Sequence, residues 1–212
     1  MRIRATVLTA VLMLWPSTSC SAPSANSTAP PAPPVVLSSD QLANRLLTTA
    51  DLGSGYTARP TTSRSSTPAS VLDCEPLEQM GQAVADPYAA FPSRAKAVFT
   101  GPGGTQVTEE LYSAPPKELS ATAERIMDAM TACPVYQIAT ATTVTRVYTR
   151  TVPAPPLGEE QWSQVNTVST GGRSSTFQQT VIRDGALLLV VSGTPDQVAL
   201  HVRTALTKAT TS

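Results

Sequence analysis

The chain has 212 residues, of which 41% are hydrophobic and only 14% are charged, and its 15 basic residues balance its 15 acidic ones. That length allows one domain with a substantial core and excludes two large ones. A chain without excess positive charge does not attract a polyanion, so we expect no nucleic-acid partner.

The N-terminus has the order of a secretory signal peptide, which we place at residues 1–19. Arg2 and Arg4 form a basic start, and residues 5–15 form an uncharged, mostly apolar run that is too short to span a bilayer comfortably. Small residues follow. We therefore expect this leader to be removed and the mature protein to lie outside the cytoplasm.

Cys20 is the candidate lipid-attachment residue. Thr18 and Ser19 before it resemble a bacterial lipobox, in which the cysteine thiol receives a diacylglycerol and becomes the new N-terminus. Ser17 stands where that pattern prefers Leu. We expect a lipid anchor that holds the protein at the extracellular face of the cell membrane. Cleavage by an ordinary signal peptidase, which would release a secreted protein, is the alternative.

Residues 20–36 comprise this cysteine and a linker rich in Pro, Ser and Ala. The linker has no hydrophobic periodicity, and its composition cannot bury enough apolar surface to offset the entropy of ordering it. Its prolines favour an extended chain. We interpret it as a stalk that separates the membrane from a folded domain at residues 37–209.

The first half of the folded part predicts two helices and a hairpin. Ser38 and Gln41 stand at capping-box spacing, and the glycines of "ADLGSGYT" end the helix that follows. A second helix is predicted from Asp73. Residues 94–100 and 105–112 are predicted strands, joined by a glycine-rich loop. The apolar stripe of the second helix is Cys74, Leu77, either Met80 or Gly81, and Val84.

The second half predicts one long helix, more strands and a final helix. The long helix runs from Pro115 to Cys133, and residues 135–149 form a long strand with a bulge near Val144. Residues 162–169 form another strand. The segment 174–193 adds two strands around a predicted type I′ turn at Asp184-Gly185.

Residues 186–191 are apolar at every position, which predicts a central strand covered on both faces. Pro195 begins the final helix. Together these elements predict an α+β fold with an antiparallel sheet of about six strands and about four packed helices.

Cys74 and Cys133 lie at the ends of predicted buried faces. If Cys20 carries a lipid, they remain as an even set, and exported proteins usually pair such cysteines. We therefore predict a disulfide between them, with two separately buried thiols as the alternative. Two cysteines and the single histidine are too few ligands for a metal site, and we expect no metal or cofactor.

Catalytic signatures are missing from the sequence. There is no Gly-x-Ser-x-Gly elbow, and His201 borders the inward stripe of the final helix. Glu109 and Glu110 are neighbours on a strand, so they point to opposite faces. Glu159 and Glu160 lie in a loop, where we expect them to be solvated. The sequence favours a protein that is not an enzyme, with an envelope hydrolase as the less favoured alternative.

Trp162 and Tyr56 are the candidate rim residues of a ligand groove. Trp162 is the only tryptophan beyond the leader, follows a proline-rich loop and opens a strand. Such a residue belongs either to the core or to the rim of a site. Tyr56 follows the glycines that end the first helix.

Several of these segments resemble the PknH-type extracellular sensor domains of actinobacterial receptor kinases and related lipoproteins. The similar motifs are "LLTTADLGSGYT", Cys74-Glu75-Pro76-Leu77, "EELYSA" and Ala132-Cys133-Pro134, and the likeness covers residues 38–207. It implies a disulfide-stabilised exterior domain with an antiparallel sheet, helices and a groove for an unidentified ligand. The kinase sensors have two disulfides, and this chain can match only one.

The function expected from the sequence is that of a cell-surface lipoprotein. Its sensor-like domain would bind an unidentified small ligand or an envelope protein without catalysis, and any signal would pass through a partner. A freely secreted binding protein of the same fold and a purely structural spacer are the alternatives.

Overall fold

The protein is described by a computed structural model, which covers residues 34–61, 69–80 and 87–211. These residues build one antiparallel sheet. Its strands are β1 Thr57–Arg59, β2 Ser70–Leu72, β3 Ser93–Thr100, β4 Gln106–Ser113, β5 Val135–Ala139, β6 Val144–Thr151, β7 Glu160–Thr170, β8 Arg173–Asp184 and β9 Leu187–Gly193. Their order across the sheet is β1-β3-β4-β9-β8-β7-β6-β5-β2.

The helices pack on the two faces of this sheet. They are α1 Ser39–Ala43, α2 Thr49–Leu52, α3 Glu75–Met80, α4 Pro116–Ala132 and α5 Pro195–Thr210. Helices α1, α2 and α5 share one apolar core with the sheet, and we call this side the α5 face. Helices α3 and α4 pack on the opposite side, which we call the α4 face.

Strand β9 is buried on both faces, as its continuous apolar sequence predicts. Leu187, Leu189 and Val191 lie in the core under α5, whereas Leu188 and Val190 lie in the core under α4. Successive side chains on a strand alternate between faces, so only an all-apolar strand suits a position with helices on both sides.

The α+β class is confirmed, but the sheet has nine strands in the described residues, not about six. Part of the difference lies in residues 135–149, which form two strands and not one bulged strand. Thr140 makes the turn between them: its amide donates to the carbonyl of Thr143 at 2.8 Å, and its hydroxyl accepts from the amide of Thr143 at 3.1 Å. A threonine hydroxyl replaces the usual Gly or Asn, so the turn leaves little trace in the sequence.

The other two additional strands are the edges of the sheet. Strands β1 and β2 have three residues each and pair with β3 and β5 respectively. Segments this short have no measurable hydrophobic period, and long-range pairing alone makes them strands.

The predicted first helix is two helices, which brings the number in the described residues to five. Helix α1 ends at Ala43, and α2 starts from a second capping box formed by Thr48 and Asp51. Between them the amide of Leu47 donates to the carboxylate of Glu109 at 2.6 Å. A residue of the sheet therefore satisfies this backbone donor in the segment between the two helices.

The hairpin predicted near Asp184-Gly185 forms one residue later. Asp184 pairs with Leu187, and the loop residues are Gly185 and Ala186. Only Gly185 has a positive φ, of 55°, which fits a type II′ turn and not the predicted type I′ turn.

Several expectations lie outside the described residues: the signal peptide at 1–19, Cys20, the linker as far as residue 33, and Val84. Among the helices of the described residues, none combines the length and the hydropathy needed to cross a bilayer.

Candidate functional site

Cys74 and Cys133 are joined by a disulfide, with their Cα atoms 5.9 Å apart. The bond links the residue before α3 to the residue that ends α4. Around it lies a small core on the α4 face, with Leu77, Tyr136 and Val147. The two cysteines that would remain after lipidation of Cys20 therefore pair with each other.

Trp162 and Tyr56 lie on opposite faces of the sheet. Trp162 stands opposite Val181 and packs against the α4 core, where it is half-buried. Tyr56 packs against the α5 core. The two side chains cannot both border one groove, and a role for either of them in a ligand site stays a prediction.

His201 is a buried partner of Tyr56. The Tyr56 hydroxyl lies 2.7 Å from Nε2 of His201, and the two rings meet edge to face. Burial lowers the pKa of His201. A Cβ atom at Gly101 would come within 2.7 Å of the Tyr56 ring, so glycine is required there for the close approach. These contacts tie the chain before β1 to α5.

Glu109 and Glu110 point to opposite faces, as expected for neighbours on a strand. Glu109 is fully buried on the α5 face, where one carboxylate oxygen accepts from Leu47 and the other has no partner among the described residues. Burial raises the pKa of Glu109 to about 7. Glu110 lies on the α4 face and accepts hydrogen bonds from Lys96 and from the Tyr112 hydroxyl.

Glu159 and Glu160 are not simply solvated, which corrects the expectation for this loop. Both pair with the buried guanidinium of Arg183, at 2.6 and 2.9 Å. The hydrogen bond from Arg183 lowers the pKa of Glu160, which also accepts from Ser120 of α4 at 3.0 Å. The cluster joins α4 to the end of the sheet.

Two shallow clefts flank this ion-pair cluster. One has a volume of about 350 Å³ and contains Arg45, Glu159 and Asp184 in its lining, and the other has about 310 Å³ and contains Glu159 and Arg183. Five of the eight residues that line the second cleft are charged, which differs from the predominantly apolar walls that are common in small-molecule pockets, whereas only three of the eleven that line the first are charged.

A larger accessible surface lies on the α5 face, beyond the strands that α5 covers. It is formed by side chains of β2, β5, β6, β7 and the first half of β8, and we call it the open face. Its central row is Arg146, Tyr148 and Arg150 on β6, all exposed. The neighbouring members are Leu72, Val135, Gln137, Val144, Thr167, Ser169 and Thr176.

The strand register places these side chains side by side. Tyr148 stands opposite Val135 on one side and Thr167 on the other, and Arg146 stands opposite Gln137 and Ser169. Directly opposed residues of antiparallel strands share a face and lie about 5 Å apart. The open face is therefore one continuous surface of aromatic, aliphatic, hydroxyl, amide and guanidinium groups.

The same strands are buried on their other side. Tyr136, Val147, Thr149 and Asn166 lie under the helices of the α4 face, where the Thr149 hydroxyl donates to the Asn166 side chain at 2.7 Å. Residues of the open face thus carry little of the packing, because the fold of these strands depends on their α4 side.

The open face is not among the features predicted from the sequence, although a signal for it exists. In "TRVYTR" the side chains of Arg146, Tyr148 and Arg150 alternate with Val147 and Thr149. That period of two predicts one polar, aromatic row facing away from the core. It does not predict whether a helix covers the row.

A metal centre is not apparent in the described ranges, where no group of three or more His, Cys, Asp or Glu side chains could hold an ion.

Comparison with known proteins identifies the fold. No family model and no curated protein matches the chain. The extracellular domain of PknH from Mycobacterium tuberculosis is similar in structure, with a TM-score of 0.63, 16% sequence identity, and coverage of 82% of this chain and 97% of that domain. The predicted resemblance to a PknH-type sensor domain is confirmed at the level of the fold.

A second solved structure, CalU16 from Micromonospora echinospora, has 17% identity and a TM-score of 0.25, and it covers 55% of this chain and 80% of its own. A score this low supports no statement about the fold.

Proposed function

We propose that this chain, whose domain has the fold of the PknH extracellular region, is a non-catalytic binding protein of the cell envelope that is anchored by a lipid on Cys20. Its binding site is the open face. The observation that supports this proposal is that one half of the sheet has helices on a single side and exposes a continuous mixed surface on the other.

Exposed apolar groups support recognition at this surface. Tyr148, Val135, Val144 and Leu72 are each between 41% and 55% exposed. Contiguous exposed apolar side chains rimmed by polar residues are typical of interaction sites, since their contact with water has a free-energy cost.

The burial of Glu109 and His201 argues against general acid–base catalysis by either residue. A general acid or base must reach substrate. Glu109 and His201 both have shifted pKa values, but Glu109 is 0% exposed and His201 is 4% exposed. Each contacts the chain segment that precedes β1, at Leu47 and Tyr56, so the role these contacts suggest is structural.

A location outside the cytoplasm is supported by the disulfide and by the predicted leader. Disulfides persist in oxidising compartments and are rare where thiols are kept reduced. With Cys74 and Cys133 paired, Cys20 is the one cysteine left to carry a lipid.

Binding through the open face is testable by photo-crosslinking in intact cells. Benzoylphenylalanine in place of Tyr148 should yield discrete adducts of higher mass after irradiation. The same group in place of Arg125, an exposed residue of α4, should not yield them. Equal labelling from both positions, or none from either, would contradict a binding role for the open face.

The lipid anchor is tested separately. Mass spectrometry of the mature N-terminus should find a diacylglycerol-modified Cys20, and the protein should sediment with membranes. A Cys20→Ser variant should lose both properties. A soluble mature form with an unmodified Cys20 would establish the secreted alternative instead.

A further inference from the structure

The central row of the open face has a charge and spacing that indicate the class of its partner. We propose that the open face binds an extended acidic polypeptide segment, with Arg146 and Arg150 pairing its carboxylates and Tyr148 packing on an apolar side chain between them. This inference rests on the proposed binding role of the open face.

The charge of the surface is the first argument. No other strand residue on the open face carries a charge at neutral pH, and neither arginine has an ion-pair partner among the described residues. The carboxylate of Asp73 approaches one border, where it accepts a hydrogen bond from Gln137 at 2.7 Å. Two guanidinium groups on an otherwise uncharged surface complement carboxylates, with which they form paired, charge-assisted hydrogen bonds.

The apolar content is the second argument. Of the seven large apolar side chains that are exposed among the described residues, four belong to this surface: Leu72, Val135, Val144 and Tyr148. Tyrosine and arginine are enriched at the centres of protein interfaces, whereas lysine and the acidic residues are depleted there. A surface with this composition suits a polypeptide better than a uniformly polar polymer.

The spacing is the third argument. Arg146 and Arg150 are four residues apart on one strand, so their Cα atoms are about 13 Å apart, with Tyr148 halfway between. An extended peptide along β6 repeats this geometry, because its alternate side chains share a side. A peptide that matches this spacing has an acidic residue, an apolar residue two positions later and a second acidic residue two positions after that.

The probe is a synthetic peptide with several repeats of Glu-Thr-Leu-Thr, which places every Glu and Leu on one side of an extended chain. Its control repeats Glu-Leu-Thr-Thr, which has the same composition but turns Leu to the opposite side. Fluorescence anisotropy with the full mature chain should show tighter binding of the first peptide. The affinity should fall as salt is added, because exposed charges are screened.

The double variant Arg146→Gln/Arg150→Gln should weaken binding of the probe by about tenfold or more, through loss of two charge-assisted contacts. The matched control Arg125→Gln/Arg203→Gln removes the same charge from exposed positions on α4 and α5. It should change the affinity by less than about twofold, since surface charges remote from the contact act weakly. Both variants should melt at the wild-type temperature.

Polygalacturonate, an acidic polysaccharide, provides the competing ligand class. Arginine-dependent binding of polygalacturonate without binding of the peptide would overturn the inference in favour of an anionic glycan. Equal affinity of the double variant and the wild type for the peptide would also overturn it. If no probe binds while benzoylphenylalanine in place of Tyr148 still yields crosslinks, the acidic polypeptide is excluded but the proposed function stands.

Discussion

Strand β9 and the adjoining parts of β4 and β8 have helices on both faces, whereas β5 and β6 are packed on one face and expose the other. On β9 the α5-face residues Leu187, Leu189 and Val191 are core. On β6 the residues on the same side of the sheet are Arg146, Tyr148 and Arg150. The same strand architecture therefore serves stability in one region and leaves side chains available for recognition in the other.

The two regions are also stabilised by different means. The doubly packed region has large apolar cores on both sides, but the core beneath β5 and β6 contains few fully buried side chains. The disulfide between Cys74 and Cys133 lies in this smaller core. A covalent link offsets a modest core, as it does in small domains that bury limited apolar surface.

The largest expected effect is on the singly packed region. The double variant Cys74→Ser/Cys133→Ser should lose about 4 kcal/mol of unfolding free energy, since the bond closes a loop with a sequence separation of 59. Chemical denaturation measures this loss, and wild type in reductant is the matched control. Amides of β5 and β6 should lose more hydrogen-exchange protection than those of β9. Equal loss in both regions would contradict the proposed division.

Leu189→Ala should reduce the unfolding free energy by about 3 kcal/mol, because Leu189 is fully buried under α5 and its truncation leaves a cavity. Val144→Ala, on the open face, should cost less than about 0.5 kcal/mol. Thermal and denaturant unfolding of both variants test this contrast. A similar cost at the two positions would mean that the open face is part of the packed structure.

Glu109 should make the doubly packed region sensitive to pH. Burial raises its pKa from the ordinary 4.5 to about 7, so the folded protein retains a proton that the unfolded chain releases. The associated stability is complete below about pH 4.5 and is lost as the pH rises to about 7, a change of about 3 kcal/mol.

Glu109→Gln stays neutral at every pH, so its stability relative to wild type should rise by about 2 kcal/mol between about pH 5 and about pH 8. Denaturation curves at both pH values measure this difference. His201, whose pKa burial lowers, contributes stability that is lost as the pH falls below its ordinary value of 6.5. That dependence is present in both proteins and cancels in the comparison. A difference that does not change with pH would show that Glu109 is ionised in the fold.

The smallest effect on stability is expected at the centre of the open face. Arg146→Gln/Tyr148→Ser/Arg150→Gln should change the unfolding free energy by less than about 0.5 kcal/mol, because all three side chains are exposed. The triple variant should nevertheless lose the binding of the Glu-Thr-Leu-Thr peptide described above. A loss of more than about 1 kcal/mol would assign these residues a structural role.

Local patterns were sufficient for much of the fold. The apolar stripe of α4 and the proline at each end of it predict its limits, and helix α4 is found at Pro116–Ala132. The all-apolar run 186–191 predicts a central strand because no other environment accommodates it. The even number of cysteines that remain besides Cys20 favours pairing of Cys74 with Cys133. An even number alone does not exclude two separately buried thiols.

Local patterns failed where a contact comes from distant residues. Nothing near Leu47 predicts that Glu109 will accept its backbone hydrogen bond in the segment between two helices. Likewise, the local sequence predicts that the two adjacent glutamates at 159 and 160 are solvated, because only the sheet register shows that Arg183 lies beside them.

The amino-acid pattern alone was therefore enough to predict an α+β domain with amphipathic helices and antiparallel hairpins, because those features depend on neighbours within a few residues. The placement of β1 and β2 at the edges, the separation of Trp162 from Tyr56, and the exposure of the Arg146–Arg150 row depend on how the sheet assembles. The period of a strand distinguishes its two faces, but only packing decides which of them a helix covers.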